Sequence, residues 1–157
     1  MPGPLGGMVK SLPGCQKMSG MSITSMFPAA LGGLRAIRAF AERFCAEAGV
    51  GRDPCLRLNL VLEELFTNTI RHGYRDGSDA PVWISLARAE GALSIVYEDS
   101  APPFNPYAWL AAAASEGPQP LRRPGGLGIL LTRELAASRE YAYVFGRNSI
   151  RLGMRLD

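Results

Sequence analysis

Residues 56–74 read LRLNLVLEELFTNTIRHGY. Leu58, Leu62, Leu65 and Phe66 recur at the spacing of one helix face and form a core-facing stripe. Glu64, Asn68 and His72 fall at four-residue steps, so they line up as a polar stripe on another face. Such a stripe is also what any solvated helix face shows. Glu63 lies off it and reads as exposed. Upstream, Asp53-Pro54 is a helix start, because Asp accepts free first-turn amides and proline there gives up no hydrogen bond. The helix should run to about His72 and end at Gly73.

Working outward, Leu31, Leu34, Ile37, Ala41, Phe44 and Cys45 keep helical spacing, and Gly49 and Gly51 stop that helix. Ile23 to Phe27 reads as a short strand before it. Val82 to Ala87 and Leu93 to Glu98 read as paired strands around Glu90-Gly91. Ser100 to Pro124 is Pro-, Ala- and Gly-rich with weak periodicity, the composition of a functional lid. Gly125 to Gly128 opens a helix to about Ala137. Glu140 to Phe145 and Ser149 to Arg155 close the chain as strands around Gly146-Arg147-Asn148. This order predicts an α+β two-layer sandwich, a mixed and mostly antiparallel sheet with helices on one face. Residues 1–20, rich in glycine and proline, read as a flexible N-terminal tail before a single domain over 21–157.

Composition narrows the function. The 157 residues suit one core, with 47% hydrophobic and 20% charged residues. The net charge of +3 hides a near balance, because Lys10 and Lys17 are the only lysines and no acid precedes Glu42. No cation run exceeds Arg122-Arg123, so nucleic acid is not an expected partner. Cys15, Cys45 and Cys55 make neither a CxxC pair nor an even disulfide set. With His72 the sole histidine, they point to no zinc site and to a reducing cytoplasm. No apolar run approaches the ~18 residues of a membrane helix. Leu12-Pro13-Gly14-Cys15 follows no hydrophobic stretch that would make it a lipoprotein signal.

Two further clusters carry chemistry. Asp99 ends a hydrophobic strand and begins Asp99-Ser100-Ala101-Pro102-Pro103-Phe104-Asn105-Pro106. An acid there caps a turn, or accepts a hydrogen bond from an exocyclic amine at a pocket floor. Arg122-Arg123-Pro124-Gly125-Gly126-Leu127-Gly128 precedes a helix. Glycines there serve as a hinge, or let backbone amides approach an anion at a positive helix end.

An acid and an Asn one turn apart, an acid after a strand and a glycine loop into a helix come here in that order. Together they resemble the ATP-binding superfamily of gyrase, mismatch-repair ATPases, histidine kinases and anti-sigma kinases, across residues 21–157. Within it the chain most resembles the small anti-sigma-factor serine/threonine kinases. The shared runs are EELFTNTIRHGY, the Asp99 to Pro106 pattern, and GGLGILL before a terminal hairpin. The resemblance implies a histidine-kinase-like ATPase fold, with ATP and Mg²⁺ as cofactors. It implies Glu64 as the catalytic carboxylate at the attacking hydroxyl, Asn68 at the Mg²⁺ and Asp99 at the adenine amine. Gly126, Leu127 and Gly128 would line the triphosphate and Ser149 would lie near the adenine. Arg123 would face the partner from the lid, and His72 and Ala101 would complete the nucleotide-lining set. It further implies an antagonist (anti-anti-sigma) protein and a sigma factor as partners, signal transduction to transcription as the setting, and leaves a homodimer open.

One departure stands out. The family usually has glycine where this chain has Ala101, and at positive φ an alanine would be strained by roughly 1 kcal/mol. A histidine autokinase is disfavoured, since His72 belongs to the nucleotide helix and no helical hairpin carries a phosphoacceptor. Gyrase-type enzymes need a transducer domain for which 157 residues leave no room. The alternative is a nucleotide-binding interaction module that sequesters a partner without phosphorylating it. Loss of function on changing Glu64 separates the two.

Overall fold

The computed structural model of the protein describes residues 20–75, 77–115 and 126–157. Five strands form one sheet: β1 (Ser22–Pro28), β2 (Pro81–Ala89), β3 (Ala92–Asp99), β4 (Ser138–Val144) and β5 (Arg147–Arg155). Their spatial order is β1-β2-β3-β5-β4, and all four pairings are antiparallel. The expected α+β sandwich is therefore present, with a sheet that is antiparallel throughout rather than mixed. Among the described residues the helices are α1 (Gly33–Glu47), α2 (Arg52–Asn68), α3 (Pro106–Ser115) and α4 (Gly126–Leu135). None is long and apolar enough to cross a membrane.

Strand alternation explains the layering. Val82, Ile84 and Leu86 of β2, Leu93, Ile95 and Tyr97 of β3, and Ile150, Leu152 and Met154 of β5 are all buried on one face. Against that face lie Ile37, Phe40 and Phe44 of α1 and Leu58, Leu62, Leu65 and Phe66 of α2, in one cluster. Each large side chain so buried contributes about 1.5–3 kcal/mol.

The helix ends follow from local chemistry. Val50 N donates to Cys45 O at 2.8 Å and Gly49 N to Ala46 O at 3.4 Å, with Gly49 at φ +65°. That pair of bonds around a left-handed glycine is the Schellman stop anticipated for α1. The second helix begins two residues earlier than the Asp53-Pro54 start suggested, at Arg52. Gly51 is its extended N-cap and makes no side-chain cap, while Asp53 sits inside the first turn and complements the helix dipole.

Two expectations need correction. The stretch read as a functional lid with weak periodicity contains α3: Asn105 Oδ1 accepts from Tyr107 N at 3.0 Å and Ala108 N at 3.1 Å, capping an alanine-rich helix. Its apolar residues run all round, so no helical period was visible. The terminal turn is also shifted. Phe145 (φ 52°) and Gly146 (φ 75°) are its two central residues, the twisted hairpin turn with both φ positive, so β5 already begins at Arg147. Residues 1–19 of the expected tail and 116–125 of the expected lid, with Arg122 and Arg123, lie outside the described residues.

Candidate functional site

The α2 helix ends in a widened turn, Thr69–Gly73, in which Tyr74 N donates to Thr69 O at 3.0 Å, five residues back. Such turns add a residue to the helix and re-aim its side chains. Asn68, Thr69, His72 and Gly73 all border a cleft of about 580 Å³. The cleft lies between this turn, the end of β3 and the segment leading into α3, with Phe104, Trp109 and Ile129 among its walls.

A hydrogen-bonded chain forms its floor. Tyr97 Oη donates to Thr69 Oγ1 at 2.8 Å, and Thr69 Oγ1 donates to Asp99 Oδ2 at 2.8 Å. The other carboxylate oxygen, Asp99 Oδ1, accepts from Asn148 Nδ2 at 2.8 Å and from Ala101 N at 3.0 Å. Asn148 Oδ1 accepts from Tyr141 Oη at 2.7 Å and Phe104 N at 3.0 Å. Asp99 is only 7% exposed, so this is a buried carboxylate held by three donors at the bottom of a largely apolar cleft. Burial pushes the Tyr97 hydroxyl well above its usual range, and pushes Tyr74 and Tyr141 up as well. These phenols therefore stay protonated and remain donors at neutral pH.

Ala101 takes the place of the family glycine without backbone strain. Positive φ among non-glycine residues occurs only at Arg75, Glu90 and Phe145 of the described residues. Its methyl group is buried against Gly73, where an added Cβ would stand 2.8 Å from Ala101 Cβ.

One turn up α2 from Asn68, Glu64 meets α4. A Cβ on Gly128 would overlap Glu64 Oε2, with Glu64 Cδ 2.7 Å away. The absent side chain of Gly128 is thus the seat of the Glu64 side chain, and Gly126 and Gly128 are both buried at the start of α4. Glu63 lies off this stripe and pairs with Arg38 at 3.4 Å on the surface.

Asn68, His72, Asp99 and Ala101 are brought together at the cleft, with Glu64 and Gly128 in contact beside it. Leu127 is not: at 67% exposed it points out of the α4 turn between the two buried glycines. Ser149 is not either. It pairs with Glu98, whereas Asn148 pairs with Asp99, so Ser149 is on the opposite sheet face. Alternation along β5 is the reason, since neighbouring residues of a strand face opposite sides of the sheet. Asn148, Thr69 and Tyr97 were missed by sequence reasoning. The alternation of Ile150, Leu152 and Met154 was the signal that would have put residue 148 on the inner face.

The arrangement suits a flat, partly apolar ligand with one amine for the Asp99 carboxylate and a polar end at Asn68 and His72. No curated protein matches the chain in sequence. In structure it is similar to the RsbU and RsbW domains of Rv1364c from Mycobacterium tuberculosis, at 17% identity and TM-score 0.61. That likeness covers 86% of this chain but 32% of the other, so the chain spans about a third of its length. It is also similar to the SiaB–SiaC complex from Pseudomonas aeruginosa, at 16% identity and TM-score 0.55, over 87% of this chain and 91% of that one. At these identities the likeness is one of fold. A family model described as the histidine kinase-like ATPase domain matches residues 27–154, a span that holds all four helices, Asp99 and Asn148. The chain belongs to the histidine kinase-like ATPase domain family.

Proposed function

We propose that the protein is an ATP-dependent serine/threonine protein kinase of the anti-sigma-factor type, acting in the cytoplasm on a small antagonist protein. The observation that carries this is the contact between Glu64 and Gly128, which puts a half-buried carboxylate between the nucleotide cleft and the first turn of α4. A module that only sequesters a partner has no need of a carboxylate held there. Similarity to structures named for an RsbW domain and for a two-protein SiaB–SiaC assembly supports a protein partner. A sigma factor is the second partner in this reading.

Each role follows from position. Asp99, with three of its acceptor sites filled, offers a remaining one to the exocyclic amine of adenine. The walls at Phe104, Trp109 and Ile129 hold the flat base and exclude water from that hydrogen bond. The first turn of α4, which begins at Gly126, would offer its free backbone amides to phosphate oxygens, with Gly128 giving Glu64 its place beside them. Arg123, in the lid, would face the partner. Glu64 would orient the incoming hydroxyl and take its proton as that oxygen bonds to the γ-phosphorus and the bond from the γ-phosphorus to the bridging oxygen breaks, releasing ADP, while positioning and charge neutralisation supply most of the rate.

Among the described residues no group of three or more His, Cys, Asp or Glu is placed to hold a metal ion. That fits Mg²⁺, which keeps several waters and binds through one or two side chains plus substrate phosphates. Asn68 would hold it by its carboxamide oxygen, and the ion would supply neutralising charge at the phosphates.

The test is transfer of labelled γ-phosphate to an antagonist protein from the same genome. Glu64→Gln keeps size and much hydrogen bonding but cannot accept a proton. Transfer should fall roughly 10²-fold or more, the scale of a general base, with ATP affinity retained. Asn68→Ala should lose Mg·ATP binding and keep its melting temperature. A wild-type protein that binds ATP and its partner yet never transfers phosphate would leave the sequestering module standing.

A further inference from the structure

We propose that Asn148 is a positioning residue for base recognition: it sets both the Asp99 carboxylate and the wall above it. This rests on the ATP reading of the cleft. Asn148 is 6% exposed, and its carboxamide reaches three separate parts of the fold. Its Nδ2 donates to Asp99 Oδ1 at 2.8 Å, with Ala101 O at 3.0 Å and Pro102 O at 3.1 Å also in range. Its Oδ1 accepts from Phe104 N and from Tyr141 Oη of β4. One side chain thereby joins the end of β3, the Ala101–Phe104 segment and the edge strand.

Only a carboxamide does all of this. A hydroxyl has one proton to give and cannot serve Asp99 and the segment carbonyls together. A carboxylate has none, and would face Asp99 with like charge. Because Asn148 and Ala101 N occupy Asp99 Oδ1, and Thr69 occupies one site on Oδ2, the open acceptor position is left on Oδ2, the side nearer α2. Asn148 thus selects which carboxylate oxygen is offered to a ligand amine. The same amide fixes Phe104 N, and with it the segment that enters α3 through Pro106.

The titratable groups facing Asp99 are Tyr97 of β3, Tyr141 of β4 and Tyr74 after the α2 turn, each raised chiefly by burial. They do not change charge between pH 5.5 and 8. His72 also lines the cleft, in wild type and variant alike. Asn148→Asp adds a second carboxylate beside Asp99, and such a pair shares a proton at low pH.

The experiment measures the affinity of the full chain for Mg·ATP and for Mg·purine riboside triphosphate, which lacks the 6-amino group, at pH 5.5 and 8. Wild type should prefer ATP by tenfold or more, the order of a hydrogen bond to a charged group. In Asn148→Asp at pH 8 that preference should collapse to about twofold or less, and at pH 5.5 it should recover at least partway, relative to wild type at the same pH. Asn148→Ala should show the collapse without the pH recovery, and it serves where the charged variant does not fold. Hydrogen exchange of the Phe104 amide without nucleotide should speed up in Asn148→Ala, which leaves that amide no side-chain acceptor. An unchanged preference in Asn148→Ala, or both ligands weakening by the same factor in both variants, overturns the positioning role alone. Wild-type protein that binds neither ligand overturns the nucleotide reading, and the base-positioning role with it.

Discussion

Gly128→Ala puts the proposed catalytic geometry under direct strain. The new Cβ would overlap Glu64 Oε2, and Glu64 Cδ would stand 2.7 Å from it. Carbon atoms in contact prefer about 3.5–4.0 Å, so the carboxylate must withdraw by about 1 Å. The obstacle is the free end of a side chain with three rotatable bonds, so the helix need not move. Replacing glycine by alanine inside α4 favours the helix by about 1 kcal/mol, against an overpacking cost of about 1–3 kcal/mol. The net change in stability should lie within about 2 kcal/mol. For a chain of this size that is a melting shift of no more than about 8 °C. Catalysis should suffer far more, because a misplacement of about 1 Å at a reacting group costs on the order of 10²-fold. Calorimetry with Mg·ATP, thermal melting and labelled phosphate transfer to the antagonist protein measure the three terms separately. Transfer at the wild-type rate would refute the idea that Gly128 seats a catalytic Glu64. A proportional loss of ATP affinity and transfer would instead assign Gly128 to the phosphate cradle.

Thr69→Val removes the hydroxyl between Tyr97 and Asp99 while keeping its shape, and should destabilise the fold by about 1–3 kcal/mol. Adding Tyr97→Phe should then cost little more, and full additivity in a double-mutant cycle would deny that the two form one chain. Cys45 has its thiol pushed up to about 12, chiefly by burial, with Cys55 and Glu42 adding to the rise. Its folded value lies above the unfolded one, so this stabilisation is intact below about pH 8.5 and is lost as pH climbs towards 12. At pH 8 a thiol reagent should modify Cys55 in the native protein and reach Cys45 only on unfolding, as peptide mass spectrometry would show; equal native labelling contradicts the burial. Removing residues 1–20 should leave the melting temperature within about 2 °C, since that segment has no periodic apolar face. A much larger drop would mean that it packs on the domain.

The local order of elements was legible because it depends on short-range chemistry. The apolar stripe of α2, the Gly49 stop of α1 and the alternation of β2 and β3 are each set by residues within a few positions of one another. The polar stripe was legible for the same reason, since one helix carries Glu64, Asn68 and His72 at four-residue steps. Helix α3 was not, because alanines on every side leave no period to read even though they favour the helix.

What only the tertiary structure decided is which face each residue shows and what it meets. That Asn148 reaches Asp99, Ala101, Pro102, Phe104 and Tyr141 at once depends on how β4, β5 and the segment after β3 come together, and nothing in its residue type foretells it. The pairing of Glu64 with Gly128, and of Ala101 with Gly73, joins residues far apart in the chain. Such contacts are set by how closely α4 and the β3 end approach α2, which depends on the packing of the whole core. The sequence by itself determined the kinds of groups available, two carboxylates, an amide and a glycine loop in that order. Packing determined their geometry, since distances across a core are fixed by every side chain that fills it.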